Sequence, residues 1–90
     1  MKTIRIFISG NVQGVFFRQF IKDNADKIGV KGYVRNLEDS RVEVAIEGKD
    51  KAVEEMRKIC KKGAPHSIVK ELEIEELSEQ GFKEFKILHF

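Results

Sequence analysis

Apolar residues change their spacing several times along the 90-residue chain, and each change marks a new element. From Lys2 to Ser9, Ile4, Ile6 and Ile8 alternate with Arg5, Phe7 and Ser9, the period of a strand with one face on a core. The interval then lengthens. Phe17, Phe20, Ile21, Ala25 and Ile28 recur at helical spacing, with Lys22, Asp23, Asp26 and Lys27 on the other side. This predicts a helix starting near Phe17, and Gly29 is placed to close it as a left-handed cap. Val30 to Leu37 reads as a second strand, Glu38-Asp39-Ser40 as a turn, and Arg41 to Glu47 as a third strand with Val42, Val44 and Ile46 on one face. Gly48-Lys49-Asp50 leads into a second helix that turns Ala52, Val53, Met56, Ile59 and Cys60 inward. Gly63-Ala64-Pro65 ends it, because proline cannot continue the hydrogen-bond ladder. Ser67 to Leu77 is strand-like, with Leu72 and Ile74 alternating against Glu71, Glu73 and Glu75. After a turn at Ser78-Glu79-Gln80-Gly81, Lys83 to Phe90 holds a last strand with Phe85 and Ile87 on one face.

The order β-α-β-β-α-β with a final extra strand belongs to the α+β class and matches the ferredoxin-like βαββαβ sandwich. It predicts a mostly antiparallel sheet of four to five strands with two helices on one face, since each helix has a single apolar stripe. The opposite sheet face is expected to be largely solvated, as antiparallel sheets allow. Residues 1–90 are expected to form one domain, with no linkers, repeats or low-complexity runs. The plan hosts many functions, so function has to come from a site.

Composition narrows the partners. Hydrophobic residues at 41% fit a globular protein, and charged residues at 36% exceed the average of about 25%. Lys and Glu dominate that excess, which leans toward a heat-adapted source. A net charge of +2 is too small to imply a nucleic-acid or membrane partner by electrostatics alone. Cys60 stands alone, excluding an intramolecular disulfide, and His66 and His89 show no sequence neighbours that suggest a metal or a triad. No signal peptide precedes the first strand, and no apolar run approaches the ~20 residues that span a bilayer. The expectation is a cytoplasmic monomer with no cofactor, no metal, no nucleic acid and no membrane.

Candidate chemistry concentrates in Gly10-Asn11-Val12-Gln13-Gly14-Val15-Phe16-Phe17-Arg18, which joins the first strand to the first helix. Its two glycines let the backbone take positive φ and turn sharply. A loop of this kind at a helix N-terminus points free N–H groups into one concavity, a natural anion site. Arg18 falls in the first turn, where a cation opposes the macrodipole unless something negative sits there. The inference is a phosphate-sized anion held by backbone amides and one guanidinium. The second stretch is Gly32-Tyr33-Val34-Arg35-Asn36. A right-handed crossover through the first helix makes strands one and two parallel, so Gly10 and Asn36 come to the same sheet edge. An uncharged amide beside a bound phosphate can hold a water molecule but cannot act as a base.

These two stretches resemble the two signatures of the acylphosphatase family, the second continuing from Gly32 through Asn36 to Val42 and Gly48. The likeness covers essentially the whole chain, including element order. It implies hydrolysis of acyl phosphates, small-molecule carboxyl-phosphate anhydrides, to a carboxylate and inorganic phosphate without a metal ion. It further implies a phosphate-binding loop of Asn11, Val12, Gln13, Gly14, Val15, Phe16 and Phe17, with Arg18 on the phosphate and Asn36 orienting the attacking water. One position departs from the pattern: Ser40 stands where the family usually has glycine in the hairpin after the asparagine. A non-glycine residue held in a left-handed conformation costs about 1–2 kcal/mol.

Each residue also has a plainer reading. Arg18 could pair with an acid such as Asp23, and Asn36 could satisfy a strand-end turn. Phe16, Phe17 and Phe20 fit core and loop packing better than a stacking platform, Tyr33 is expected to pack on the sheet, and Cys60 reads as a buried small hydrophobe. Glu71, Glu73, Glu75 and Glu76 read as a solvated strand face protecting an edge. RNA-recognition domains share the element order and display aromatics on their central strands. Here the third strand, Arg41 to Glu47, has no aromatic and two glutamates, which argues against that role. A regulatory module that binds an anion without turnover remains open, although it would have little use for a positioned asparagine.

Overall fold

The computed structural model describes residues 1–89. Its elements are β1 (Lys2–Asn11), α1 (Val15–Ile28), β2 (Lys31–Asn36), β3 (Val42–Gly48), α2 (Asp50–Lys62), β4 (Ile68–Leu77) and β5 (Phe85–Ile87). The strands form one sheet in the order β4-β1-β3-β2-β5. β3 lies at its centre, antiparallel to β1 and β2, while β4 runs antiparallel to β1. β5 pairs parallel with β2, so the sheet is mixed rather than wholly antiparallel.

Both helices pack on one face, α1 over β2 and β5 and α2 over β1, β3 and β4. The alternation seen in the chain becomes burial there: Ile4, Ile6 and Ile8 join Val42, Val44 and Ile46 beneath Phe17, Ile21 and Ala25 of α1 and Val53, Met56 and Cys60 of α2. Each large side chain so buried contributes about 1.5–3 kcal/mol. Burial pushes the Cys60 thiol up to about 12, so it packs as an uncharged hydrophobe. Gly29 ends α1 at φ 95°, its N–H donating to the carbonyl of Ala25 at 2.8 Å.

β2, β3 and β4 differ from the expected boundaries by one residue, and α1, β1 and the last strand by more. α1 begins at Val15, two residues before Phe17, because Val15 and Phe16 are helical yet exposed and so do not register in the apolar period. β1 continues past Ser9 to Asn11 through a register shift against β4. The last strand is confined to Phe85–Ile87; the expected extension to Phe90 reaches a residue outside those described.

The sheet face away from the helices is covered, not solvated, along β3. Glu43 and Glu47 are each only 2% exposed. Arg35 Nε and Arg5 pair with the Glu43 carboxylate, and the Tyr33 hydroxyl donates to it at 3.1 Å. Thr3 donates its hydroxyl to Glu47 at 2.5 Å, and the backbone N–H groups of Gln80 and Phe82 donate at 2.6 and 3.0 Å. On the β4 edge the glutamates are partly engaged: Glu75 pairs with Arg5, and Glu73 lies 3.8 Å from Arg41. Arg5 and Arg41 both stack on Phe7, at 5.3 and 4.8 Å from its ring centre.

Candidate active site

Strand register sets the site. Val42 of β3 is paired with Ile8 of β1 on one side and with Asn36 of β2 on the other. Two strand spacings, about 10 Å, therefore separate Asn36 from Ile8, three residues before β1 ends at Asn11 and the Val12–Gly14 loop departs.

Gly10 and Gly14 have different duties. Gly10 (φ 137°) lies in the strand at the register shift, where a Cβ would stand 2.0 Å from the carbonyl oxygen of Ile68; the close approach of β4 requires glycine. Asn11 pairs with Ile68 and so belongs to β1, not to the turn that follows. Val12, 1% exposed, pins the loop into the core. Gln13 acts through its side chain: Nε2 donates to the carbonyls of Leu37 at 3.0 Å and Arg41 at 3.2 Å. It thereby ties the loop to the hairpin that follows Asn36. Gly14 (φ 118°) is the N-cap of α1, and no side chain among the described residues caps the helix. The free N–H groups of the first turn are thus left without a side-chain acceptor. No acidic residue occupies that turn either.

In the first turn Phe17 enters the core, whereas Val15 is 57% and Phe16 88% exposed. Phe16 is therefore not the packing residue the sequence suggests. Phe17 and Phe20 do pack, their ring centres 6.5 Å apart. Arg18 does not pair with Asp23; Asp23 instead accepts from Gln19 at 2.8 Å. The Arg18 side chain turns toward the end of β5, with Nη1 3.5 Å from the carbonyl oxygen of Leu88 and 3.4 Å from His89 Nδ1. His89 thus has a neighbour that the sequence did not reveal. Arg18 Nε and Asn36 Oδ1 are buried without a hydrogen-bond partner among the described residues. Leaving a buried polar group unpaired costs about 1–3 kcal/mol, and two such groups coincide with the two residues singled out for chemistry.

The hairpin after Asn36 is held from within. Leu37 N–H donates to the carbonyl of Arg41 at 2.8 Å, and Ser40 N–H to that of Leu37 at 3.2 Å. Asp39 accepts from the backbone and side chain of Arg41, which holds its carboxyl below the ordinary value. Ser40 adopts φ 76°, the left-handed conformation that favours glycine.

Fold and site together define a ferredoxin-like sandwich with an uncapped helix N-terminus, an arginine and an asparagine at one sheet edge. The family model described as acylphosphatase matches residues 4–87. An acylphosphatase of Rubrobacter xylanophilus is 46% identical over 80 residues, 89% of this chain and 73% of that protein. One from Thermotoga petrophila is 37% identical over the full length of both chains. The crystal structure of acylphosphatase from Bacillus subtilis superposes with a TM-score of 0.93 at 38% identity, covering 98% of this chain and 99% of that one. The chain belongs to the acylphosphatase family, whose members are hydrolases.

Proposed function

We propose that the protein hydrolyses acyl phosphates as a single-domain monomer in the cytoplasm, with the N–H groups of the 11–17 segment and Arg18 binding the phosphoryl group and Asn36 orienting water. The oxygen of that water forms the new bond to phosphorus as the bond from phosphorus to the acyl oxygen breaks. The leaving carboxylate has a conjugate acid of pKa about 4, so it departs without being protonated. The water's proton passes to a phosphate oxygen, since neither Arg18 nor Asn36 can accept it at neutral pH. What remains for the protein is to neutralise charge and position the nucleophile, which needs neither a general acid nor a metal.

The observation that carries this reading is the pair of buried atoms, Arg18 Nε and Asn36 Oδ1, that have no hydrogen-bond partner among the described residues. One is a donor suited to phosphate and the other an acceptor suited to water. The test is hydrolysis of acetyl phosphate with chelator present, comparing wild type with Arg18→Ala. Turnover in the wild type, reduced at least ~100-fold in the variant, is the expected result. A wild type that binds inorganic phosphate but does not turn over would leave an anion-binding module instead.

A further inference from the structure

The sheet face away from the helices carries an aromatic corner that the hydrolase chemistry leaves unused. Tyr33 and Asn36 are three residues apart along β2, so their side chains leave opposite faces of the sheet. Tyr33 therefore lies across the sheet from Arg18 and Asn36. Its ring meets that of Phe82 nearly at right angles, with 85° between the planes and 5.9 Å between the centres. Both rings are half-buried and line a cleft of about 430 Å³ at the β5 edge. A cleft of this size holds a small ligand.

The two rings are fixed before anything binds. The Tyr33 hydroxyl donates to the buried Glu43 carboxylate at 3.1 Å. The loop carrying Phe82 hangs on Glu47, which accepts from the N–H groups of Gln80 and Phe82 on either side of Gly81 (φ 73°). A corner held in this way loses little freedom on taking up a ligand. A planar ring stacked on one of the two turns its edge to the face of the other, an arrangement that aromatic groups favour.

The rim is basic. Lys86 is paired with Tyr33 across β5 and β2, so its side chain leaves the same face about 5 Å away. Lys83 joins it from the loop, and Glu84 is the one carboxylate lining the cleft among the described residues. Both lysines are exposed, and neither forms an ion pair among the described residues. Two cations against one carboxylate favour a dianion over a zwitterion such as an aromatic amino acid. A phosphate monoester carries about −1.5 to −2 at neutral pH. Glu84 can accept from a hydroxyl or amino donor, which a sugar or a base supplies. We infer that the cleft between β5 and the 80–84 loop is a non-catalytic binding site for a nucleoside monophosphate, with the base on Tyr33 and Phe82 and the phosphate on Lys83 and Lys86. The site goes beyond the hydrolase reading and does not depend on it.

Tyr33 is the sole tyrosine, so its ring resonances are unambiguous in the nuclear magnetic resonance spectrum of the full chain. The test follows them as AMP is added to wild type and to Arg18→Ala, in which the anion loop loses its guanidinium. AMP should shift them to saturation, with half-saturation at about 1 mM in both proteins. Adenosine, which lacks the anion, and ribose 5-phosphate, which lacks the ring, should each bind at least about tenfold more weakly. Lys83→Glu and Lys86→Glu, both at exposed positions, should each weaken AMP about tenfold and leave adenosine binding and acetyl phosphate turnover unchanged. No shift up to about 10 mM AMP, or a shift confined to the protein with Arg18 intact, overturns the site. So does adenosine binding as tightly as AMP, or an AMP affinity that neither lysine variant changes.

Discussion

The two sides of the molecule treat buried polar groups in opposite ways. On the sheet face away from the helices, Glu43 and Glu47 are as buried as the core, and their carboxylates are surrounded by donors: Arg5, Arg35 and Tyr33 around the first, Thr3 and two backbone N–H groups around the second. At the sheet edge where α1 begins, Arg18 Nε and Asn36 Oδ1 are also buried, but unpaired among the described residues. Native proteins satisfy the great majority of such groups, so each exception calls for a reason. The chain satisfies its glutamates with partners of its own. It holds Arg18 and Asn36 in place while leaving one polar atom of each, Arg18 Nε and Asn36 Oδ1, without a partner among the described residues. On the function proposed above, the glutamates belong to stability and the Arg18–Asn36 pair to ligand binding, a division that mutation can break.

The largest effects should fall on the unsatisfied side. Arg18→Lys keeps the charge and loses the planar fork matched to phosphate, so kcat/KM should drop about 10²–10³-fold and inhibition by inorganic phosphate should weaken with it. Asn36→Ala should lower kcat about 10²-fold while the inhibition constant for phosphate stays close to wild type. Equal losses of phosphate affinity in the two variants would remove the distinction between binding arginine and water-orienting asparagine. Neither change should lower the melting temperature much, because neither removes a side-chain polar contact shorter than 3.4 Å among the described residues.

The satisfied side should respond through stability. Glu47→Ala leaves the Thr3 hydroxyl and the N–H groups of Gln80 and Phe82 without their acceptor, a loss of about 3 kcal/mol, or about 15 °C in a domain of this size. The sign of its pH dependence follows from the same contacts. The Thr3 hydroxyl, followed by the backbone N–H groups, holds the Glu47 carboxyl below its ordinary value of 4.5. A depressed pKa contributes stability that is fully present above the ordinary value and lost as pH falls through the folded one. The gap in melting temperature between wild type and Glu47→Ala should therefore be constant above pH 5 and narrow below about pH 4.5. A gap independent of pH would mean that the carboxylate's charge contributes nothing.

This contrast also separates what the sequence made legible from what it did not. Local periodicity sufficed for the elements, as in Ile4, Ile6 and Ile8, and chain order brought Asn36 to the sheet edge where the loop departs, because the α1 crossover returns the chain parallel to β1. The alternation of β3 put Val42, Val44 and Ile46 on the core face, but it does not say whether the opposite face, with Glu43 and Glu47, is wet. Their cover comes from Arg5 and Arg35 on neighbouring strands and from residues 80–82, contacts that exist only once the sheet is assembled. The neighbours of Arg18 were hidden for the same reason: Leu88 and His89 reach it only after β5 has added in parallel to β2. Val15 and Phe16 misled the helix boundary because apolar residues that stay exposed do not follow the burial period.

The smallest predicted effect sits between the two sides, at Ser40. Its φ of 76° is a conformation that costs a non-glycine residue about 1–2 kcal/mol. Glycine would remove that strain, yet it would also widen the unfolded ensemble by about 0.5–1 kcal/mol. Ser40→Gly should therefore stabilise by about 0.5 kcal/mol, near 3 °C in melting temperature. Activity should not change, because the hairpin is held by Leu37, Asp39 and Arg41 and anchored by Gln13, none of which depends on the Ser40 side chain. Ser40→Val, which adds a β-branch at positive φ, should destabilise instead. If Ser40→Gly altered kcat while melting with the wild type, hairpin geometry would have to be part of how Asn36 is aimed, and the line between the stability side and the ligand side would run through this turn.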